Sequence, residues 1–147
     1  MSRVDQAQSM MKAGFNCSQA ILSTYGSELG LDLLLAKKIA SGFGGGIARM
    51  GETCGAVAAA IMVIGLKTGF TSGEDTAQKN RTYESIREFV KIFEQRRGSI
   101  KCRELIECDI STPEGYKRAI DQKIFETICM KSVIRDAGEI LETISSQ

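Results

Sequence analysis

Five cysteines and no histidine carry whatever chemistry this 147-residue chain performs. Cys17, Cys54, Cys102 and Cys129 lie 37, 48 and 27 residues apart, unlike the close Cys-x2-Cys pairs of zinc ribbons or the tight runs of bacterial ferredoxins. Any joint site must therefore be assembled by the tertiary fold. The absence of histidine removes the commonest proton shuttle, the Cys-His nucleophile pair and histidine-ligated haem. Thiolate chemistry remains, either as a four-thiolate metal site of Cys17, Cys54, Cys102 and Cys129 or as a dithiol/disulfide pair. Cys17 and Cys54 are the candidate reactive pair, because each falls at a helix start, where unpaired N–H groups stabilise a thiolate. Cys102 also lies near an amino end. Cys129 falls mid-helix on a face with Phe125 and Val133, where packing alone explains a cysteine. Cys108 stands between Glu107 and Asp109, which disfavour its thiolate and rank it last.

Glycines supply the second pattern. Gly42-Phe43-Gly44-Gly45-Gly46 is too glycine-rich to stay helical, and Arg49 follows it. The run lacks the Lys-Ser/Thr ending of a phosphate-binding loop and follows no strand. Its N–H groups and Arg49 are better used on thiolates or cluster sulfide. Gly44, Gly45, Gly46, Arg49 and Gly55 are thus the candidate cofactor-binding residues.

Helices must position these groups. A short helix over 4–12 ends at Ala13-Gly14, and Asn16 caps a second, 17–29, with Ala20, Ile21, Tyr25 and Leu29 near one face. Asp32 caps a third, 33–40. Residues 52–67 read as a helix apolar almost all round, hence central and buried. A long amphipathic helix to about Arg97 carries the stripe Tyr83, Ile86, Phe89, Val90 and Phe93. A short helix, 101–107, precedes a last long one, 116–144, whose buried side includes Ile120, Ile124, Ile128, Ile134 and Leu141. The expectation is an all-α fold, a single-domain bundle of four to five main helices around a buried central helix, spanning residues 1–147.

Lys and Arg total 19 against 18 Asp and Glu, so no positive excess exists to neutralise phosphates and no nucleic-acid partner is expected. The start of the chain shows no secretory signal pattern, and the most apolar stretch, 56–66, falls short of the roughly 20 residues of a membrane span. A cytoplasmic location without membrane insertion is expected, where cysteines are more often catalytic or metal-binding than structural disulfides. The composition names no redox partner protein and allows a homodimer.

At Gly42-Phe43-Gly44-Gly45-Gly46, Met50-Gly51-Glu52-Thr53-Cys54-Gly55-Ala56 and Ile64-Gly65-Leu66-Lys67-Thr68-Gly69, the chain resembles a small bacterial and archaeal family of redox-active proteins, the C_GCAxxG_C_C family. That family is named for one cysteine, a Cys-Gly-Ala-x-x-Gly motif and two later cysteines. Asn16-Cys17-Ser18-Gln19-Ala20 looks like the first element and Cys54-Gly55-Ala56-Val57-Ala58-Ala59 like the second, with Ala59 in place of the closing glycine. Cys102-Arg103-Glu104-Leu105 and Cys129 look like the last two, and Cys108 matches none. The resemblance implies redox activity and a helical fold similar to the cluster-associated domain of split-Soret-type cytochromes. The leading expectation is an iron–sulfur cluster on Cys17, Cys54, Cys102 and Cys129 for electron transfer. Zinc on the same residues, metal-free exchange by Cys17 and Cys54, and a helical assembly module with core cysteines are the alternatives.

Overall fold

The structure, a computed structural model, describes residues 1–145. Its helices are α1 (Arg3–Lys12), α2 (Cys17–Ser27), α3 (Leu33–Ala40), α4 (Gly55–Thr68), α5 (Thr76–Arg97), α6 (Cys102–Leu105), α7 (Pro113–Asp121) and α8 (Ile134–Ser145). A 3-10 turn, Ser41–Phe43, follows α3, and a π-helix, Phe125–Val133, runs into α8. The fold is all-α, and among the described residues the only strand-like pairing is one antiparallel bridge between Thr53 and Lys101.

The central helix is the expected one. In α4, Gly55, Ala56, Val57, Ala59, Ala60, Val63 and Ile64 are buried, because a helix with apolar residues all round has no face for water. Ala59 is fully buried against its neighbours. Against α4 pack α2, through Ala20, Ile21 and Leu22, and the long α5, through Phe89 and Phe93. Those two rings stack 6.1 Å apart and are fully buried, each burial stabilising by about 1.5–3 kcal/mol. The largest apolar cluster gathers α1, α2, α4, α5 and α8, and a smaller one gathers Cys102, Ile106, Cys108, Ile110, Ala119 and Ile124.

Several boundaries differ from expectation. The central helix begins at Gly55 rather than Glu52, because Thr53 is engaged with Lys101 and Cys54 becomes the N-cap. Helix α2 stops at Ser27, and Leu29 lies in the following turn, 42% exposed, instead of continuing the buried face. The expected helix over 116–144 is divided: α7 ends at Asp121, Lys123 adopts φ +55°, and the π-helix follows. That break turns Ile120 outward to 51% exposure, whereas Ile124, Ile134 and Leu141 stay buried. Tyr83 is likewise exposed and meets Phe70 edge-on at 6.1 Å. Among the described residues no helix is long and apolar enough to cross a membrane.

Candidate redox site between the two apolar clusters

A cavity of about 760 Å3 is lined by both apolar clusters, with Leu105 and Val133 from the main core and Ile106 and Ile110 from the smaller one. Cys17, Cys54, Cys102 and Cys129 all line it, together with Gly44, Gly45, Gly46, Arg49 and Gly55. Each cysteine comes from a different segment, and each is placed by identifiable local chemistry.

Cys17 is the first residue of α2. Asn16 fixes that start: its Oδ1 accepts the Gln19 N–H at 3.0 Å, while its own N–H donates to Gln19 Oε1 at 3.1 Å. This reciprocal cap satisfies two orphan donors. The Asn16 amide also donates to Ser41 O at 3.1 Å, and the buried Ser18 hydroxyl donates to Ala40 O at 2.7 Å. The start of α2 is thereby tied to the end of α3.

Cys54 and Cys102 are brought together by the Thr53–Lys101 bridge. The Cys54 N–H donates to Ile100 O and the Cys102 N–H to Glu52 O, both at 2.7 Å. Arg103 closes the clamp, donating to Gly51 O at 3.1 Å and Met50 O at 2.8 Å and pairing with Glu52 at 3.0 Å. Cys129 sits within the π-helix, a rare wide helix that is frequently found at functional sites.

Residues 45–49 form a left-handed turn, with φ of +68°, +66°, +62°, +48° and +65° at Gly45, Gly46, Ile47, Ala48 and Arg49. Left-handed geometry costs roughly 1–2 kcal/mol for each residue with a Cβ, so Ile47, Ala48 and Arg49 store on the order of 3–6 kcal/mol. Backbone hydrogen bonds hold the turn: Ala48 N–H to Gly42 O at 2.9 Å, Gly51 N–H to Gly45 O at 3.0 Å and Glu52 N–H to Gly46 O at 2.9 Å. Clustered strain of this kind points to function. A Cβ at Gly46 would stand 2.7 Å from the Cys102 Cβ and 2.6 Å from Glu52 N, and a Cβ at Gly55 would stand 2.7 Å from Cys17 Sγ. Glycine is what lets these backbones approach the two thiols.

The four sulfurs are electrostatically unequal. The Cys54 thiol donates to Cys17 Sγ, and the N–H groups of Gly45, Ala56 and Ser18 add to it, holding the Cys17 thiol down at about 7. Donation to Cys17 and burial push Cys54 well up. Burial, then the charge of Cys17, pushes Cys102 up to about 12, and the same causes raise Cys129 further. Near neutral pH Cys17 is therefore the thiol that ionises first, and Cys54, Cys102 and Cys129 stay protonated.

The remaining expected residues are placed as follows. Arg49 lies on the cavity wall, but its guanidinium stacks 4.1 Å over the Tyr116 ring, which in turn tilts against Phe125 at 6.0 Å. It makes no hydrogen bond to a cysteine among the described residues. Cys108 is outside the cavity, 4% exposed, its thiol donating to Gly115 O at 3.2 Å. Among the described residues no three cysteine or acidic side chains stand as a ready-made metal-binding group. The thiols share a cavity without being drawn into a closed ligand set.

A family model described as "Putative redox-active protein (C_GCAxxG_C_C)" matches residues 15–144. The chain belongs to this family. Cys17, Cys54, Cys102 and Cys129, the cysteines that resemble the pattern naming the family, all lie on the cavity wall. No curated protein and no solved structure matches the chain.

Three features of the site escape sequence reasoning. The glycine run signals an unusual turn, but nothing in Ile47-Ala48-Arg49 signals left-handed backbone. The π-helix has no composition mark. Tyr116 and Phe125, which wall the cavity beside Arg49, read only as apolar positions of one long helix.

Proposed function

We propose that the four-thiol cavity holds an iron–sulfur cluster and that the protein transfers electrons. The observation that carries this reading is the sorting of the cysteines. Cys17, Cys54, Cys102 and Cys129, from four separate segments, all face one cavity, and Cys108 packs elsewhere. Core packing alone gives no reason for such convergence.

The donor chemistry fits the group. Four sulfur donors without histidine are the ligand set of [2Fe–2S] and [4Fe–4S] centres. The cavity volume lies within the range of about 300–1,000 Å3 usual for cofactor sites. Ligation requires the thiols to converge further than they do here, and the space they enclose is where they would meet. Once bound, a cluster supplies a one-electron couple. The chain supplies the rest: Leu105, Ile106, Ile110 and Val133 limit water, and the N–H groups around Cys17 offset negative charge on sulfur. The electron partner in this reading is a separate redox protein, and the compartment is the reducing cytoplasm.

Anaerobic purification followed by an absorption spectrum and iron and acid-labile sulfide analysis tests the reading. Broad absorbance bleached by dithionite, with iron and sulfide in matching amounts, is expected. Replacing Cys17, Cys54, Cys102 or Cys129 by Ser should abolish bound iron, and Cys108→Ser should not. Equal iron content in all five variants refutes the ligand set. A colourless protein holding one zinc per chain assigns the same thiols to a structural zinc site instead.

A further inference from the structure

Helix α3 wears its large apolar residues on the outside. Ala36 and Ala40 are its buried residues, packed toward α2, whereas Leu33, Leu34, Leu35 and Ile39 are exposed. The usual amphipathic order is inverted: small side chains face the core and large ones face water. Leu29 and Leu66 extend the patch beyond the amino end of the helix. Leu66 closes on Gly26, where a Cβ would lie 3.4 Å from Leu66 Cδ1 and 3.2 Å from Leu31 Cδ2, just before the Asp32 cap.

The size of the patch fits one protomer's share of an interface. The six exposed side chains lie between 42% and 62% exposure and leave on the order of 500 Å2 of apolar surface in water, at the upper end of what a monomer presents. A standard interface takes about 800 Å2 from each partner, about 56–65% of it apolar, which is the same quantity.

The charges at the two ends of α3 indicate which partner closes it. Asp32 stands at the amino end, its Oδ2 accepting the Leu35 N–H at 2.9 Å. Lys38 stands in the last turn, exposed, and neither side chain makes an ion pair among the described residues. A second α3 laid antiparallel sets the Lys38 end of each helix against the Asp32 end of the other and opposes the two helix dipoles. A parallel pair would bring like charges together. The face is thus self-complementary, as a two-fold interface requires. A lipid surface fits less well, because an interfacial helix keeps a free polar face rich in Lys and Arg, and the opposite side of α3 is packed on α2.

We propose that this chain forms a two-fold homodimer through α3, with the leucine faces packed antiparallel and Asp32 of each protomer paired with Lys38 of the other. The proposal is independent of what the cavity binds, so it stands or falls apart from the cluster reading. It does bear on the site, because carbonyls at the carboxyl end of α3 hold the start of α2. Lys37 O accepts from Gln19 Nε2 at 3.0 Å, Ala40 O from Ser18 Oγ at 2.7 Å, and Ser41 O, one residue on, from Asn16 Nδ2 at 3.1 Å. Covering α3 therefore steadies the segment that begins at Cys17.

Sedimentation velocity of the full chain at micromolar concentrations, with reductant present so that no intermolecular disulfide contributes, tests the proposal. Wild type should sediment at twice the chain mass. Leu34→Glu, folded by circular dichroism, should weaken the dimer at least tenfold, and Tyr83→Glu, at an exposed apolar position on α5, should leave it unchanged. Asp32→Asn keeps the helix cap but loses the charge. That variant and Lys38→Gln should each weaken association about threefold or more, and the double variant should lose much less than the product of the two. A multiplicative loss overturns the antiparallel register. A monomer throughout, or a dimer that Leu34→Glu leaves intact, overturns the interface. A monomer that co-sediments with phosphatidylcholine vesicles assigns the face to lipid and overturns it as well. Hydrogen exchange of wild type gives a test without substitution: protection of the α3 amides should rise with protein concentration, and constant protection overturns the proposal.

Discussion

Gly55→Ala probes the contact on which the site depends. The added methyl would lie 2.7 Å from Cys17 Sγ and 2.7 Å from Phe43 O, against a comfortable separation of about 3.5–4.0 Å. Something must move by close to 1 Å. Overpacking of this kind costs about 1–3 kcal/mol. The alanine also recovers roughly 0.4–1 kcal/mol of unfolded-chain entropy. A net loss of about 1–2 kcal/mol in urea denaturation is expected.

The same shift lengthens the Cys54 S–H bond to Cys17, the largest cause of the depressed thiol. Wild-type Cys17, followed by iodoacetamide labelling and mass mapping, should alkylate with a rate that rises through about pH 7 and levels off above it. In the limit that the variant returns to the ordinary thiol value of 9.0, its thiolate fraction at pH 7 falls about fiftyfold. The more basic sulfur is intrinsically about eightfold more nucleophilic, so the observed rate at pH 7 falls by up to about sixfold, with the midpoint displaced upward. A Gly55→Ala protein as stable as wild type, with its midpoint still near 7, would refute the claim that close packing of Cys17 against Cys54 sets the thiolate.

Ala48→Gly should stabilise the protein by about 1 kcal/mol, because glycine relieves left-handed strain at an exposed position; a comparable loss in urea denaturation would contradict the strain assignment. Phe93→Ala should cost about 3–5 kcal/mol from a fully buried site, read from the same titration. Zinc affinity, measured by chelator competition, should rise steeply above pH 7. The thiols of Cys54, Cys102 and Cys129 are raised and must each lose a proton to ligate, so the limiting slope is about a thousandfold per pH unit; a slope below tenfold would show that fewer thiols take part.

Much of the fold could be read directly. Asn16 and Asp32 are caps whose side chains accept the N–H three residues on, and that chemistry is local enough to be written in four consecutive residues. The uniform apolarity of 55–68 dictates a buried helix wherever its neighbours fall. Ile120 shows the limit. Its spacing with Ile124 and Ile128 fits one continuous buried stripe, yet the left-handed Lys123 and the π-helix reset the helical phase and leave it at the cavity rim. Periodicity assumes a constant pitch, and nothing in the residue types announced a change of pitch.

The sequence by itself determined which atoms are available: five thiols, no imidazole, a glycine beside Cys54, and helix starts at Cys17 and near Cys54. Residue type and local capping are short-range properties, so they survive without knowledge of the rest of the chain. Only the tertiary structure decided that four thiols share a cavity, that Cys108 is excluded and that Cys17 ionises first. Those outcomes depend on the Thr53–Lys101 bridge, the left-handed turn and the approach of α2 to α4, contacts between segments dozens of residues apart. A thiol's acidity depends on the N–H groups, apolar walls and charges within a few ångströms of it, and it is the packing of distant segments that brings those groups to Cys17.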